Sequence, residues 1–161
     1  NMDSPICNGI CGNICSGICG ECGWCTCALP EPPVFGFWAD YSALSLAAEA
    51  AFPLGDVVYS VGPVSKQSST ITLQQAGRYL AVWTINGTAQ ANIDALITLR
   101  RNGYGMAGSA ANVIAAQGES LTAIGQLPFS AQAGDTLQLV TDSALAISGR
   151  PSATLSLARI C

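Results

Sequence analysis

Residues 70–103, TITLQQAGRYLAVWTINGTAQANIDALITLRRNG, carry the alternation of a β-sheet, and three strands read out of them. Ile71 and Leu73 alternate with Thr70, Thr72 and Gln74, and Ala76-Gly77 supplies a turn. GRYLAVWTI then sets Tyr79, Ala81, Trp83 and Ile85 on one face and Leu80, Val82 and Thr84 on the other. Both faces are apolar. Such a strand has to be covered on both sides, one face by its own sandwich core and the other by a partner subunit or a loop. Tyr79, Trp83 and Ile85 are therefore singled out as core or subunit-interface residues. The third run puts Ile93, Ala95, Ile97 and Leu99 on one face and ends in Asn102-Gly103, a strong hairpin signal.

Working outward, FGFWADYS from Phe35 and the alternating Val57, Tyr59 and Val61 read as earlier strands. YGMAGSAANVIAA, from Tyr104, reads as one weak strand or two. Residues 119–131 carry Leu121, Ala123, Leu127 and Phe129, with Pro128 marking an edge or a bulge. TLQLVTD follows the Gly134-Asp135 turn, and ATLSLARI follows the turn at Ser148-Gly149-Arg150-Pro151. Residues 43–51, ALSLAAEAA, favour helix locally, but so short a run between strands is read as a loop turn or strand edge. Strands at this spacing, without a sustained helical period, define an all-β, two-sheet antiparallel sandwich or jelly roll.

The G-x-Y strand (Gly77, Tyr79), the apolar strand ending in Asn102-Gly103, the A-G-D at 133–135 followed by Leu137 and Leu139, and SATLSLARI at 152–160 occur in an order that resembles a known family. That family is the C-terminal domain of the BclA-type exosporium proteins, which belong to the complement and tumour-necrosis-factor-like jelly rolls. The resemblance covers roughly residues 35–160. It implies a ten-strand jelly roll that assembles as a homotrimer on a spore surface, alongside other spore-surface proteins. It also implies that the first and last strands are neighbours, which would bring Cys161 to the end of the head where the N-terminal segment enters. The Gly-X-Y stalk usual in that family is missing from this sequence. Related heads recognise ligands through their loops, so a rival expectation is a trimeric module binding glycan or a host protein. Such a module would show an exposed aromatic or ionic patch at the trimer apex, whereas pure assembly would bury such residues between subunits.

Composition points the same way. Half of the 161 residues are hydrophobic and only 10% are charged, against an ordinary share of about 25%. A surface so poor in charge is expected to be covered in large part by neighbours. The net charge is −4, and the six basic residues do not cluster beyond Arg100-Arg101, which argues against nucleic-acid binding. No apolar run approaches the roughly 18 residues of a membrane span. The start, NMDSPICNG, shows no basic segment followed by an apolar one, so no secretory signal is read there.

The sequence divides into a cysteine arm at 1–28, a proline-rich spacer at 29–34 and a head at 35–161. In the arm, ICNG ICGN ICSG ICGE repeats Ile-Cys with a period of four, and CGWCTC closes the segment. Seven of the eight cysteines lie here, at Cys7, Cys11, Cys15, Cys19, Cys22, Cys25 and Cys27, and the eighth is Cys161. As a strand, the repeat sets the isoleucines on one face and the first four cysteines on the other. As a helix, i and i+4 neighbours would stand about 5–6 Å apart at Cβ, where a disulfide wants about 3.8 Å. Disulfides to other chains or to a folded-back segment are the favoured reading. A metal site on Cys19, Cys22 and Cys25 or an iron–sulfur cluster on Cys15, Cys19 and Cys22, and intrachain disulfides stapling a small cap, are the alternatives. A dense cysteine repeat produces cluster-like spacings by chance, so no metal or cofactor is expected. Cys161 is expected to bond an arm cysteine of its own or an adjacent subunit. Leu29-Pro30-Glu31-Pro32-Pro33 is a stiff spacer, because proline fixes φ.

Catalytic chemistry has little to work with. The chain contains no histidine, which removes the usual general base. Lys66 is the only lysine, and its neighbours Ser65, Ser68 and Ser69 read as a solvated turn. The carboxylates Asp40, Asp56, Asp94, Glu119, Asp135 and Asp142 stand singly and mostly flank turns. Asp94 is expected to pair with Arg100 or Arg101, and Asn86-Gly87-Thr88, although it matches a glycosylation sequon, is expected to be a hairpin turn. The expectation is a structural, non-enzymatic, self-assembling protein of a spore surface layer or appendage, with homotrimeric heads linked by disulfides.

Overall fold

The computed structural model describes residues 32–161, and the arm cysteines lie outside that range. Thirteen strands form in this range: β1 (Phe35–Asp40), β2 (Leu44–Leu46), β3 (Val57–Val61), β4 (Val64–Gln67), β5 (Thr70–Leu73), β6 (Gly77–Ala89) and β7 (Ile93–Arg101), followed by β8 (Tyr104–Gly105), β9 (Ala111–Ala115), β10 (Ser120–Ala131), β11 (Thr136–Thr141), β12 (Leu145–Ser148) and β13 (Ala153–Arg159). They build two antiparallel sheets. In the seven-stranded sheet β10, β6, β13, β1 and β3 lie side by side, and β12, paired with β2, extends the row beside the far end of β6. The six-stranded sheet runs β4, β5, β11, β7, with β8 and β9 sharing the free edge of β7.

The fold is thus the two-sheet jelly roll, with three short strands beyond the ten expected. Strand β8 is only the return of the Asn102-Gly103 hairpin, and β2 and β12 pair with each other. In that hairpin Asn102 and Gly103 take φ of 52° and 84°, the left-handed pair that a two-residue turn requires. The three strands of residues 70–103 are β5, β6 and β7, but they are not neighbours. β5 and β7 flank β11 in one sheet while β6 is central to the other, so the chain changes sheet at each turn. Residues 43–51 form β2 and a turn, with no helix.

Between the sheets lies one core. Trp38, Phe52, Ile71, Leu73, Tyr79, Trp83, Ile85, Ile97, Leu99, Leu137 and Leu139 are all fully buried in it. The large indole of Trp83 fits because its cross-strand partner is Gly125, where an added Cβ would run into the ring. Trp83 Nε1 donates to the Ser109 carbonyl at 2.9 Å, so burial leaves the indole N–H satisfied. The Tyr79 hydroxyl donates to the Gln75 carbonyl at 2.6 Å, and its ring stacks on Phe129 with centroids 5.9 Å apart.

Two local expectations are corrected. Asn86-Gly87 is no turn: both residues lie within β6. Glycine is needed at 87 because the Ser148 carbonyl occupies the place of a Cβ, and Asn86 turns its side chain to accept from Thr122 Oγ1 at 2.9 Å. The turn signal and the close-approach signal are the same residue, and periodicity alone does not separate them. Likewise Arg100 pairs with Glu49 at 2.7 Å rather than with Asp94, and Arg101 donates to the Ser130 carbonyl. The loop following β2 brings Glu49 to the outer side of β7, a long-range approach that no local pattern encodes.

Gly125→Val should lower the unfolding free energy by about 1–3 kcal/mol through overpacking against Trp83. Urea denaturation followed by tryptophan fluorescence would show a reduced midpoint at unchanged m, and an unaltered midpoint would count against this packing.

Candidate functional site

The outward face of the seven-stranded sheet is the feature on which function can be built. Cross-strand partners share a face, so it reads row by row. One row is Val61, Phe35, Ala158, Leu80, Pro128; the next is Tyr59, Phe37, Ser156, Val82, Gln126; the third is Val57, Ala39, Thr154, Thr84, Ile124. None of these residues carries a charge, and Arg78, opposite Ser130, sits at the rim. Ile124 is 62% exposed and Tyr59 55%, with Phe35, Val57 and Leu80 also open to water. Phe35 and Tyr59 pack against each other at 5.9 Å between ring centres. Polar groups near the centre satisfy one another, through the hydrogen bond between the Thr84 and Thr154 hydroxyls and the Asn86–Thr122 contact. That pairing lowers the cost of burying them under a neighbour. The other sheet's outward side also exposes apolar side chains, Leu96 at 40% and Ile114 at 69%, but sets them among Asp94 and the Arg100–Glu49 ion pair.

Tyr79, Trp83 and Ile85 all lie on the inward face of β6, fully buried against the opposite sheet. The residues open to a partner are those on its other face, Leu80 with Val82 and Thr84, joined by Phe35, Tyr59 and Ile124 from β1, β3 and β10. The double-sided apolar pattern of β6 was the sequence signal for this surface. Phe35, Tyr59 and Ile124 were beyond its reach, because only strand pairing brings them alongside.

At the Phe35–Ala158 end of the sheet, the two ends of the described residues meet. β1 pairs antiparallel with β13, Phe35 opposite Ala158, and the Arg159 N–H donates to the Val34 carbonyl at 2.8 Å. Cys161 therefore stands beside the point where the spacer enters the head, its carbonyl accepting from the Arg78 N–H at 2.8 Å. Cys7, Cys11, Cys15, Cys19, Cys22, Cys25 and Cys27 lie outside the described residues.

Among the described residues, three titratable groups depart from their ordinary behaviour. Asp40, 3% exposed at the end of β1, has its carboxyl pushed above the usual range by burial, with the neighbouring Asp56 charge adding to the effect. Its Oδ1 accepts from the Gly55 N–H at 3.2 Å, while Oδ2 is buried with no hydrogen-bond partner. Burial also lowers Lys66, which the Asp40 charge opposes; its Nζ donates to the Ser68 carbonyl. Ser65 and Ser69 hydroxyls instead accept from Gln74 and Gln138. Asp135 is held below its usual range by the Asn102 amide at 3.0 Å and the Gln132 N–H at 2.9 Å, bonds that tie the hairpin tip to the turn before β11. Among the described residues, no three His, Cys, Asp or Glu side chains converge as metal ligands, and no helix is long and apolar enough to cross a membrane.

Solved structures share this architecture. A tumour necrosis factor, Eiger from S. frugiperda, superposes with a TM-score of 0.61 at 10% identity, over 81% of this chain and 94% of that one. Murine APRIL gives 0.56 at 12% identity, over 79% and 98%, and rabbit GITRL 0.51 at 12%, over 80% and 94%. At these identities the likeness is one of fold: the chain is a tumour-necrosis-factor-like jelly roll. No protein-family model matches the chain, and no curated protein does.

Because Asp40 holds its proton more tightly folded than unfolded, its contribution to stability is full below the unfolded value of about 3.9 and is lost as pH rises through the higher folded value. Asp40→Asn keeps an acceptor for Gly55 and removes that loss. Denaturant titrations across weakly acidic pH should show the variant gaining on the natural chain as pH rises, then levelling. A constant difference would contradict it.

Proposed function

We propose that this chain is a structural, non-enzymatic protein of a bacterial spore surface layer or appendage, built from homotrimeric jelly-roll heads that the cysteine arm cross-links into a larger polymer. The observation that carries the reading is the uncharged, partly exposed outer face of the seven-stranded sheet. Exposed apolar patches of this extent are how soluble monomers differ from subunits. A three-fold ring needs each copy to present two unlike halves of one surface, and the face offers them: an aromatic half on β1 and β3, and an aliphatic and polar half on β6 and β10.

Two further features support the reading. The entry of the spacer and Cys161 lie at one end of the head, so three copies around an axis would bring their arms together there. Seven cysteines in the arm then exceed what one copy needs for a single clasp to Cys161. The resemblance to BclA-type heads supplies the spore surface as the setting, and self-association with neighbouring surface proteins as the partners.

Ile124→Glu tests the interface without touching the core, since its side chain points to solvent in a single copy. Burying an unpaired carboxylate should weaken association by about 3 kcal/mol, roughly a hundredfold in the dissociation constant. Native mass spectrometry under reductant should find three copies for the natural chain and one for the variant at the same concentration. The proposal fails if both give the same mass, or if oxidised natural chain shows no covalent species larger than one copy on a non-reducing gel.

A further inference from the structure

A second surface adjoins the outward face at Pro128, at the end of the head where the spacer enters. Between the β7–β8 hairpin and the last residues of β10 runs a groove of about 690 Å³, open along one side. Tyr104, 80% exposed, forms one wall, and Pro128 and Ser130 the other. Arg101 crosses the floor, its Nη1 donating to the Ser130 carbonyl, so one strand of each sheet is tied across the groove. An exposed tyrosine facing a proline, with a guanidinium between them, is the composition of a site for a polyproline segment. Such segments arrive already extended and lose little entropy on docking against aromatic walls.

The chain holds one such segment, Leu29-Pro30-Glu31-Pro32-Pro33, with a carboxylate at its centre to meet Arg101. Its last two residues, Pro32 and Pro33, are exposed at the same end of the head as the groove. A copy's own spacer is the wrong length. From β1 to β10 is three inter-strand gaps, about 14 Å, and five residues of polyproline span about 15 Å, so the segment would be used up in crossing and would not lie in the groove. A neighbour in the trimer proposed above does not face that distance. With the β1–β3 half of one copy against the β6–β10 half of the next, and all arms at one end, the spacer of one copy emerges beside the groove of the other.

We propose that the groove lined by Arg101, Tyr104 and Pro128 receives the proline-rich spacer of the adjacent copy, with Arg101 paired to its Glu31. The inference rests on the trimer reading, and adds a strap by which each arm leaves the head over its neighbour. The strap orients the cysteines before any disulfide forms.

The test uses the full chain under reductant, with Tyr104 replaced by photoreactive benzoylphenylalanine and copies labelled with light and heavy nitrogen mixed before irradiation. Native mass is read on the same sample. The expected result is a trimer in which position 104 cross-links to residues 29–33 of a copy of the other label. Arg101→Glu should reduce that yield about fivefold, the scale of one exposed ion pair, and Glu31→Arg in the same chain should restore it. A trimer that cross-links only within one copy, or to other segments, overturns the strap and leaves the trimer standing. A monomer overturns both.

Discussion

Strand β6 must be covered on both of its faces, and the rest of the molecule is arranged to meet that constraint. Inward, Tyr79, Trp83 and Ile85 fill the space between the sheets, and Gly125 across the ladder makes room for the indole. Outward, Leu80, Val82 and Thr84 lie at the centre of a face that no part of residues 32–161 fully covers. The first set of contacts explains why the head folds. The second sets a continuous uncharged face, with Phe35, Tyr59, Leu80 and Ile124 on it, on one sheet, whereas the other sheet exposes Leu96 and Ile114 beside Asp94 and the Arg100–Glu49 ion pair.

The ends of the chain follow from the same sheet. Because β13 lies between β6 and β1, the last residue of the head and the first are held side by side, with Val34, Arg78, Arg159 and Cys161 joined by backbone hydrogen bonds. A segment attached there leaves from a fixed point on the head. In the assembly proposed, that geometry fixes where each arm leaves the head, and the cysteines act on neighbours already positioned by the sheet face. The distal end is built differently: Asp40 is buried with one oxygen unpaired, and Asp56 is spent on the Tyr41 N–H and the Ser42 hydroxyl.

Much of the fold was legible in the sequence because a period-two pattern is local. Residues 71–73, 79–85 and 93–99 each announced a strand and its buried face, and Asn102-Gly103 announced its turn. What the pattern could not convey was which sheet each strand joins: β5, β6 and β7 alternate between the two because turn geometry and long-range pairing decide it. Short strands β4 and β12 escaped notice, since four residues in a polar or small-residue setting carry too little alternation. Asn86-Gly87 misled for a physical reason, as glycine serves both tight turns and close backbone approach. The functional face was half legible: β6 betrayed its outer side, whereas Phe35, Tyr59 and Ile124 join it only through pairing. The groove beside Tyr104 was not legible at all, because its two walls are some 25 residues apart and belong to different sheets.

In the assembly proposed, the outer face of the seven-stranded sheet is covered by other copies. Carbene footprinting of the native full chain measures this directly, residue by residue, without altering the protein. Phe35, Tyr59, Leu80 and Ile124 should be shielded from label although a single copy leaves them open, while Leu96 and Ile114 on the other sheet should be labelled freely. Equal labelling of the two faces would contradict the account.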